Sequence, residues 1–124
     1  MAAAGQPDGD VGNSTRTEDF GKRFPERFFN VGIAESNLVG VAAGLASSGK
    51  RAWLSSFAAF VMCNAYDQLR MSVAFPNLDV KVVGTHAGIS IGEDGPSQMG
   101  IEDVSLACSL PHFSVVVPAD EPWM

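Results

Sequence analysis

An acid at the head of a helix, two rings three residues apart and an imidazole at a strand end are the groups here that could do chemistry. Glu35 opens the run Glu35 to Ser48, ESNLVGVAAGLASS, in an apolar neighbourhood. Two roles suit it: an N-terminal carboxylate favoured by the helix dipole, or a desolvated carboxyl able to exchange a proton with a ring nitrogen. Phe57 and Phe60 either fill the core stripe of a helix or form a shelf on which a flat heterocycle stacks. His86 follows an apolar run and precedes Gly88, which suits either a surface cap or a polar contact to substrate. The run Gly92-Glu93-Asp94-Gly95-Pro96-Ser97-Gln98 is either a plain acidic turn or a loop that recognises hydroxyl groups. No Lys follows its glycines and its charge repels phosphate, whereas carboxylates and amides hydrogen-bond well to sugars. His112, after Pro111, suits an exposed cap. No His/Cys/Asp group has metal-ligand spacing, and no nucleophile elbow is present.

The elements that must position these residues follow from pattern. Residues 1–25 are poor in apolar content and rich in turn formers, so a flexible N-terminal segment is expected there, followed by a folded domain over 26–124. Strands are expected at 28–31, 51–55, 79–84 and 113–117. Helices are expected at 35–48, 57–75 and 101–109, the second stopped by Pro76. That alternation predicts an α/β fold, a parallel sheet with helices on both faces. Gly40 and Gly44 weaken the first helix by about 1 kcal/mol each relative to Ala, a cost normally offset by close contact with the sheet or a second subunit. Ligands of open parallel sheets sit beyond the carboxyl ends of the strands. Glu35, Phe57 and Phe60, His86 with the acidic glycine loop, and Asp120 all follow such ends.

Composition narrows the classes. The chain has 124 residues, 46% apolar and 18% charged, enough for one core. A formal charge of −6 without a basic cluster argues against a nucleic-acid partner. No apolar run reaches the roughly 18 residues of a membrane span, and Met1-Ala2-Ala3-Ala4-Gly5 lacks the form of a signal peptide. Cys63 and Cys108 suit buried thiols of a reducing compartment, so a cytoplasmic protein is expected.

Larger motifs then become recognisable. Arg27-Phe28-Phe29-Asn30-Val31-Gly32-Ile33-Ala34-Glu35-Ser36-Asn37 resembles the helix-opening motif of the pyrimidine-binding domain of transketolases. Ser56-Phe57-Ala58-Ala59-Phe60 and Tyr66-Asp67-Gln68-Leu69-Arg70 resemble the segment that follows it. The run from Thr85 to Gln98, THAGISIGEDGPSQ, is similar to that family's substrate loop, and the likeness spans roughly Asp10 to Asp120.

The resemblance implies a transferase that moves a two-carbon ketol unit between sugar phosphates with thiamine diphosphate. It gives Glu35 a hydrogen bond to the aminopyrimidine ring nitrogen, promoting the imino tautomer that deprotonates the thiazolium. It gives Phe57 and Phe60 the aromatic pocket, His86 and Asp94 contacts to the sugar, and Gln98 a hydrogen bond where many members carry His. Ser14 matches a position at the sugar-phosphate end and Asp10 one near the thiazolium. Cys63 stands where some members place an aromatic ring.

The family's opening apolar strand is replaced by Met1 to Pro7, and its next helix and strand are expected beyond the stop at Glu121 to Met124. The diphosphate-binding motif that holds magnesium is also lacking, so the resemblance implies a separate diphosphate-domain chain as partner. It implies a homodimer contact as well, for which the Gly/Ala-rich helix from Glu35 is suited. The chain accordingly resembles the C-terminal, small subunit of a split transketolase, inactive without its partner. Alternatives are a deoxyxylulose-phosphate synthase or the β subunit of a 2-oxoacid dehydrogenase, against which the Glu93 to Gln98 loop argues. A non-catalytic remnant acting only as an interaction module is the other alternative.

Overall fold

In the computed structural model, which describes residues 4–120, four strands form one parallel sheet. They are β1 (Ala4–Asp8), β2 (Phe28–Asn30), β3 (Arg51–Phe57) and β4 (Val80–Thr85), in the order β2-β1-β3-β4. The helices are α1 (Gly12–Thr15), α2 (Thr17–Arg23), α3 (Glu35–Ser47), α4 (Ala58–Asn64), α5 (Tyr66–Gln68) and α6 (Asp103–Cys108). From β1 the chain steps to one side for β2, then crosses back past β1 for β3 and β4. Right-handed crossovers therefore put α1 and α2 on one face and α3 and α4 on the other.

Packing agrees. Gly5 of β1 lies against Leu45 of α3, and its register partner Ala52 joins Leu54, Leu38, Val39 and Ala42 in the core. On the opposite face Gly21 of α2 lies on the ring of Phe28, so closely that a Cβ would come within 2.8 Å of it. α3 ends where Gly49 takes a φ of +79°, with Gly49 N–H on the Ala46 carbonyl and Lys50 N–H on that of Leu45. This paired arrangement satisfies carbonyls that a helix end otherwise leaves open.

Three sequence expectations change. The irregular segment expected over 1–25 instead supplies, in its described part, the interior strand β1 and the helices α1 and α2. AGQPD carries no apolar pattern because Gly5 is needed for close approach to Leu45 and Asp8 for a buried polar role. β1 thus stands where the family's apolar strand seemed to be missing; residues 1–3, like 121–124, lie outside the described residues. The helix expected over 57–75 is broken. Phe57 closes β3, α4 stops at Asn64, and α5 runs into a π-helical turn, Leu69–Ala74. The wide turn keeps Leu69, Val73 and Ala74 buried before Pro76, with Leu78 N–H on the Val73 carbonyl.

The strand expected at 113–117 does not form. Between Pro111 and Pro118 this run borders β4 across a groove of about 820 Å³, and among the described residues β4 pairs only with β3.

Candidate functional site

All five buried polar side chains among the described residues sit at one edge of the sheet. Asp8, Ser55 and Ser56 lie at the carboxyl ends of the two interior strands, Thr17 starts α2 and Glu35 starts α3. The strand order reverses between β1 and β3, the place in an open parallel sheet where a crevice for ligands opens. Burying polar groups is unfavourable unless they are satisfied, so their concentration at this crevice marks it off from the apolar core below.

Asp8 is fully buried and well satisfied. It accepts hydrogen bonds from Thr17 Oγ1 at 2.5 Å, Val11 N–H at 3.1 Å and Thr15 Oγ1 at 3.4 Å, which fastens α1 and α2 to the end of β1. Asp10, exposed and at a φ of +64°, accepts from Asn30 Nδ2 at 2.8 Å, while Asn30 Oδ1 accepts from Gly32 N–H at 2.8 Å. The loops after β1 and β2 are thereby joined around an acidic cavity of about 350 Å³ bordered by Asp8, Asp10, Asn13, Glu18 and Asn30. Ser14 is exposed on α1, its hydroxyl donating to Asn13 Oδ1.

Glu35 is different. It is only 7% exposed, yet among the described residues its carboxylate makes no hydrogen bond and no ion pair. At the same edge Ser56 Oγ is fully buried and, among the described residues, without a partner, 3.5 Å from where a Cβ on Gly9 would stand.

The aromatic residues form a stack. Phe57 at the end of β3 and Phe60 in the first turn of α4 lie 5.4 Å apart and nearly parallel, at 15°. His86 packs on Phe57, ring centres 4.3 Å apart. Its Nδ1 lies 2.9 Å from Thr85 Oγ1, and its backbone takes a φ of +56°. After His86 the chain makes a loop whose neck is closed by Gly88 N–H on the Gly100 carbonyl at 2.8 Å. Gly84 and Gly100 both press on the start of α4; a Cβ would meet Ala58 Cβ at 3.1 Å and the Ala59 nitrogen at 3.3 Å respectively. Asp94 is exposed in the short turn Gly92–Asp94, and Gln98, half-buried in Pro96–Gln98, accepts from Ser97 Oγ.

The structure thus brings Phe57, Phe60 and His86 into contact, buries Glu35 and links Asp10 to Asn30. It leaves Ser14 and Asp94 exposed. Asp8, Asn30 and Thr85 were not singled out from sequence. The paired acids flanking Gly9 were the available signal for Asp8; Asn30 and Thr85 are plain strand-end residues until the fold shows their partners. Cys63 and Cys108 are exposed rather than buried. The Cys63 thiol donates to Glu102 Oε1 at 3.2 Å, and partial burial, then that carboxylate, push its pKa up to about 11.

Residues 7–122 match the family model described as the pyrimidine-binding domain of transketolase. Over 113 residues, 91% of the chain, it is 49% identical to a transketolase C-terminal section of Methanocaldococcus jannaschii, covering 36% of that protein. It is 48% identical over 114 residues to transketolase-like protein 2 of Mus musculus, covering 18% of that chain. A solved split-gene transketolase, described as an inactive β4 tetramer, superposes on 87% of the chain with a TM-score of 0.72 and 48% identity, covering 34% of its own length. The chain therefore spans about a third, or less, of these relatives.

Proposed function

The chain belongs to the transketolase pyrimidine-binding domain family, and from that premise we propose that it is the pyrimidine-side subunit of a split transketolase. In this reading it moves a two-carbon ketol unit between sugar phosphates with thiamine diphosphate, and it works only beside a diphosphate-binding chain that holds the magnesium.

The observation that carries the reading is Glu35, only 7% exposed at the start of α3 and, among the described residues, with no protein donor to its carboxylate. A carboxylate held at a crevice with little access to water gains from a group that can share its proton. A heterocyclic ring nitrogen is such a group: the protonated carboxyl donates to its lone pair, and the carboxylate accepts from the protonated nitrogen. The nearly parallel rings of Phe57 and Phe60 suit the flat body of the same ring, and the orphaned Ser56 hydroxyl adds an unspent polar group at the same edge. The residues present therefore fit the pyrimidine half of thiamine diphosphate. Glu35 would hold the ring nitrogen, the Phe57–Phe60 stack would wall one side of the ring, and Asp10 would stand toward the thiazolium.

When bound, the cofactor supplies the electron sink for the transferred unit. Glu35 holds and releases a proton at the ring nitrogen. His86 and Gln98 bind hydroxyls of the sugar, with Asp94 at the loop tip and Ser14 toward its phosphate.

The solved relative described as an inactive tetramer supports self-association without turnover. α3, whose exposed Gly40 and Gly44 have no neighbour on their outer side among the described residues, is our choice for the homodimer contact. A cytoplasmic setting suits its free thiols.

The test is reconstitution with a diphosphate-domain chain. Ketol transfer from xylulose 5-phosphate and none from pyruvate is expected, and Glu35→Gln should lower the rate by about 10²-fold or more with an unchanged fold. Equal activity of Glu35→Gln would overturn the reading.

A further inference from the structure

We propose that Asn30 is a positioning residue whose side-chain amide locks the loop carrying Asp10 to the turn that sets the head of α3, and with it Glu35. Asn30 Oδ1 accepts from Gly32 N–H and Asn30 Nδ2 donates to Asp10 Oδ1, both at 2.8 Å. A backbone N–H can only donate and a carboxylate oxygen accepts, so the two neighbours together fix which way the amide faces. Both distances sit in the middle of the hydrogen-bond range. The residues that it joins are both left-handed, Asp10 at a φ of +64° and Gly32 at +73°. For Asp10, which carries a Cβ, that conformation is uncommon, and the bond from Asn30 helps to hold it.

From Gly32 the chain of bonds runs on into the helix. The Gly32 carbonyl accepts from Ala34 N–H at 2.8 Å, and the Ala34 carbonyl accepts from Leu38 N–H at 2.9 Å, the first bond of α3. Ala34 stands at the cap of that helix, where it has no side-chain oxygen to offer the free N–H groups of the first turn. Leu38, fully buried, moors the inner side of this turn, and the bonds from Asn30 govern its outer end. Among the described residues Glu35 has no protein partner of its own, so the backbone sets where its carboxyl stands. Asn30 therefore fixes the spacing between two acids, one assigned above to the pyrimidine and the other to the thiazolium. That catalytic consequence rests on the function proposed above; the lock between the two loops does not.

The experiment is amide hydrogen exchange, followed by NMR, on the full chain and on Asn30→Ala and Asn30→Asp. In the unaltered chain Gly32 N–H should exchange at least about ten-fold more slowly than an unstructured amide. Asn30→Ala should remove that protection and speed exchange at Ala34, with Ala42 and Ala43 further along α3 unchanged. Asn30→Asp keeps the acceptor for Gly32 but sets a second carboxylate against Asp10, so Gly32 should stay protected while the Asp10 amide resonance moves. After reconstitution with a diphosphate-domain chain, Asn30→Ala should lower kcat about five-fold to ten-fold and leave KM for xylulose 5-phosphate within about two-fold. An unprotected Gly32 in the folded, unaltered chain overturns the proposal, even where neither variant folds. So does unchanged protection in a folded Asn30→Ala, or an unchanged kcat once that protection is lost. Hydrogen exchange needs neither cofactor nor partner chain, so an inactive unaltered pair counts against the functional reading and not against the lock.

Discussion

Glu35 and Asp8 are two buried acids at one sheet edge with opposite circumstances. Asp8 spends its lone pairs on Val11, Thr15 and Thr17, whereas Glu35 has none of these partners. Removing Asp8 strands a hydroxyl and an amide that it now satisfies. Asp8→Ala should lower stability by about 2–4 kcal/mol in urea unfolding, with Asp8→Asn costing less. Glu35 offers no such support to the fold, which is why the activity test can separate chemistry from stability. A third acid, Glu102, acts on a thiol. Because Cys63 is held protonated, its contribution to folding is fully present below pH 9.0 and is lost as pH rises toward 11. At pH 8, Cys63 in the folded chain should alkylate roughly ten-fold more slowly than in the urea-unfolded chain, and Glu102→Gln should recover part of that rate. Peptide mass spectrometry distinguishes it from Cys108.

Among the elements, those with strong periodicity were legible and those shaped by close contact were not. α3 and β3 announce themselves through Leu38, Ala42 and the Trp53-Leu54 stretch. β1 does not, since a strand made of Gly5, Gln6, Pro7 and Asp8 is recognisable only from its neighbours on both sides. The break at Ala65 was hidden because apolar residues continue through it at helix-like spacing. At the site, residue types revealed Glu35, Phe57, Phe60 and His86, but Phe57 belongs to a strand end and meets Phe60 across a strand-to-helix corner. That corner depends on Gly84. Gly84→Ala places a methyl 3.1 Å from Ala58 Cβ and should cost about 1–3 kcal/mol. Because Gly84 directly precedes Thr85, it should also weaken the His86–Phe57 contact, visible as a change in ring-current shifts of His86.

Across the whole molecule the two sheet faces are unequally covered. α3 and α4 close one face, while α1 and α2 cover the other only near β2, leaving Trp53 46% and Val83 39% exposed beside the outer side of β4, which is unpaired among the described residues. Among the described residues no helix is long and apolar enough to cross a membrane, so this apolar strip is not part of a helical span. In a Trp123→Phe background, Trp53 should emit at long wavelength and be readily quenched by acrylamide. Mixing with a diphosphate-domain chain that covers this face would shift the emission to the blue.

The interior position of β1 has a practical corollary. Its first residues emerge at the rim opposite Glu35 and His86, so an affinity handle fused ahead of Ala4 would extend away from the crevice. Deleting through Asp8, by contrast, would strip β2 of its neighbour and cut the molecule into a lone strand and a two-stranded remnant.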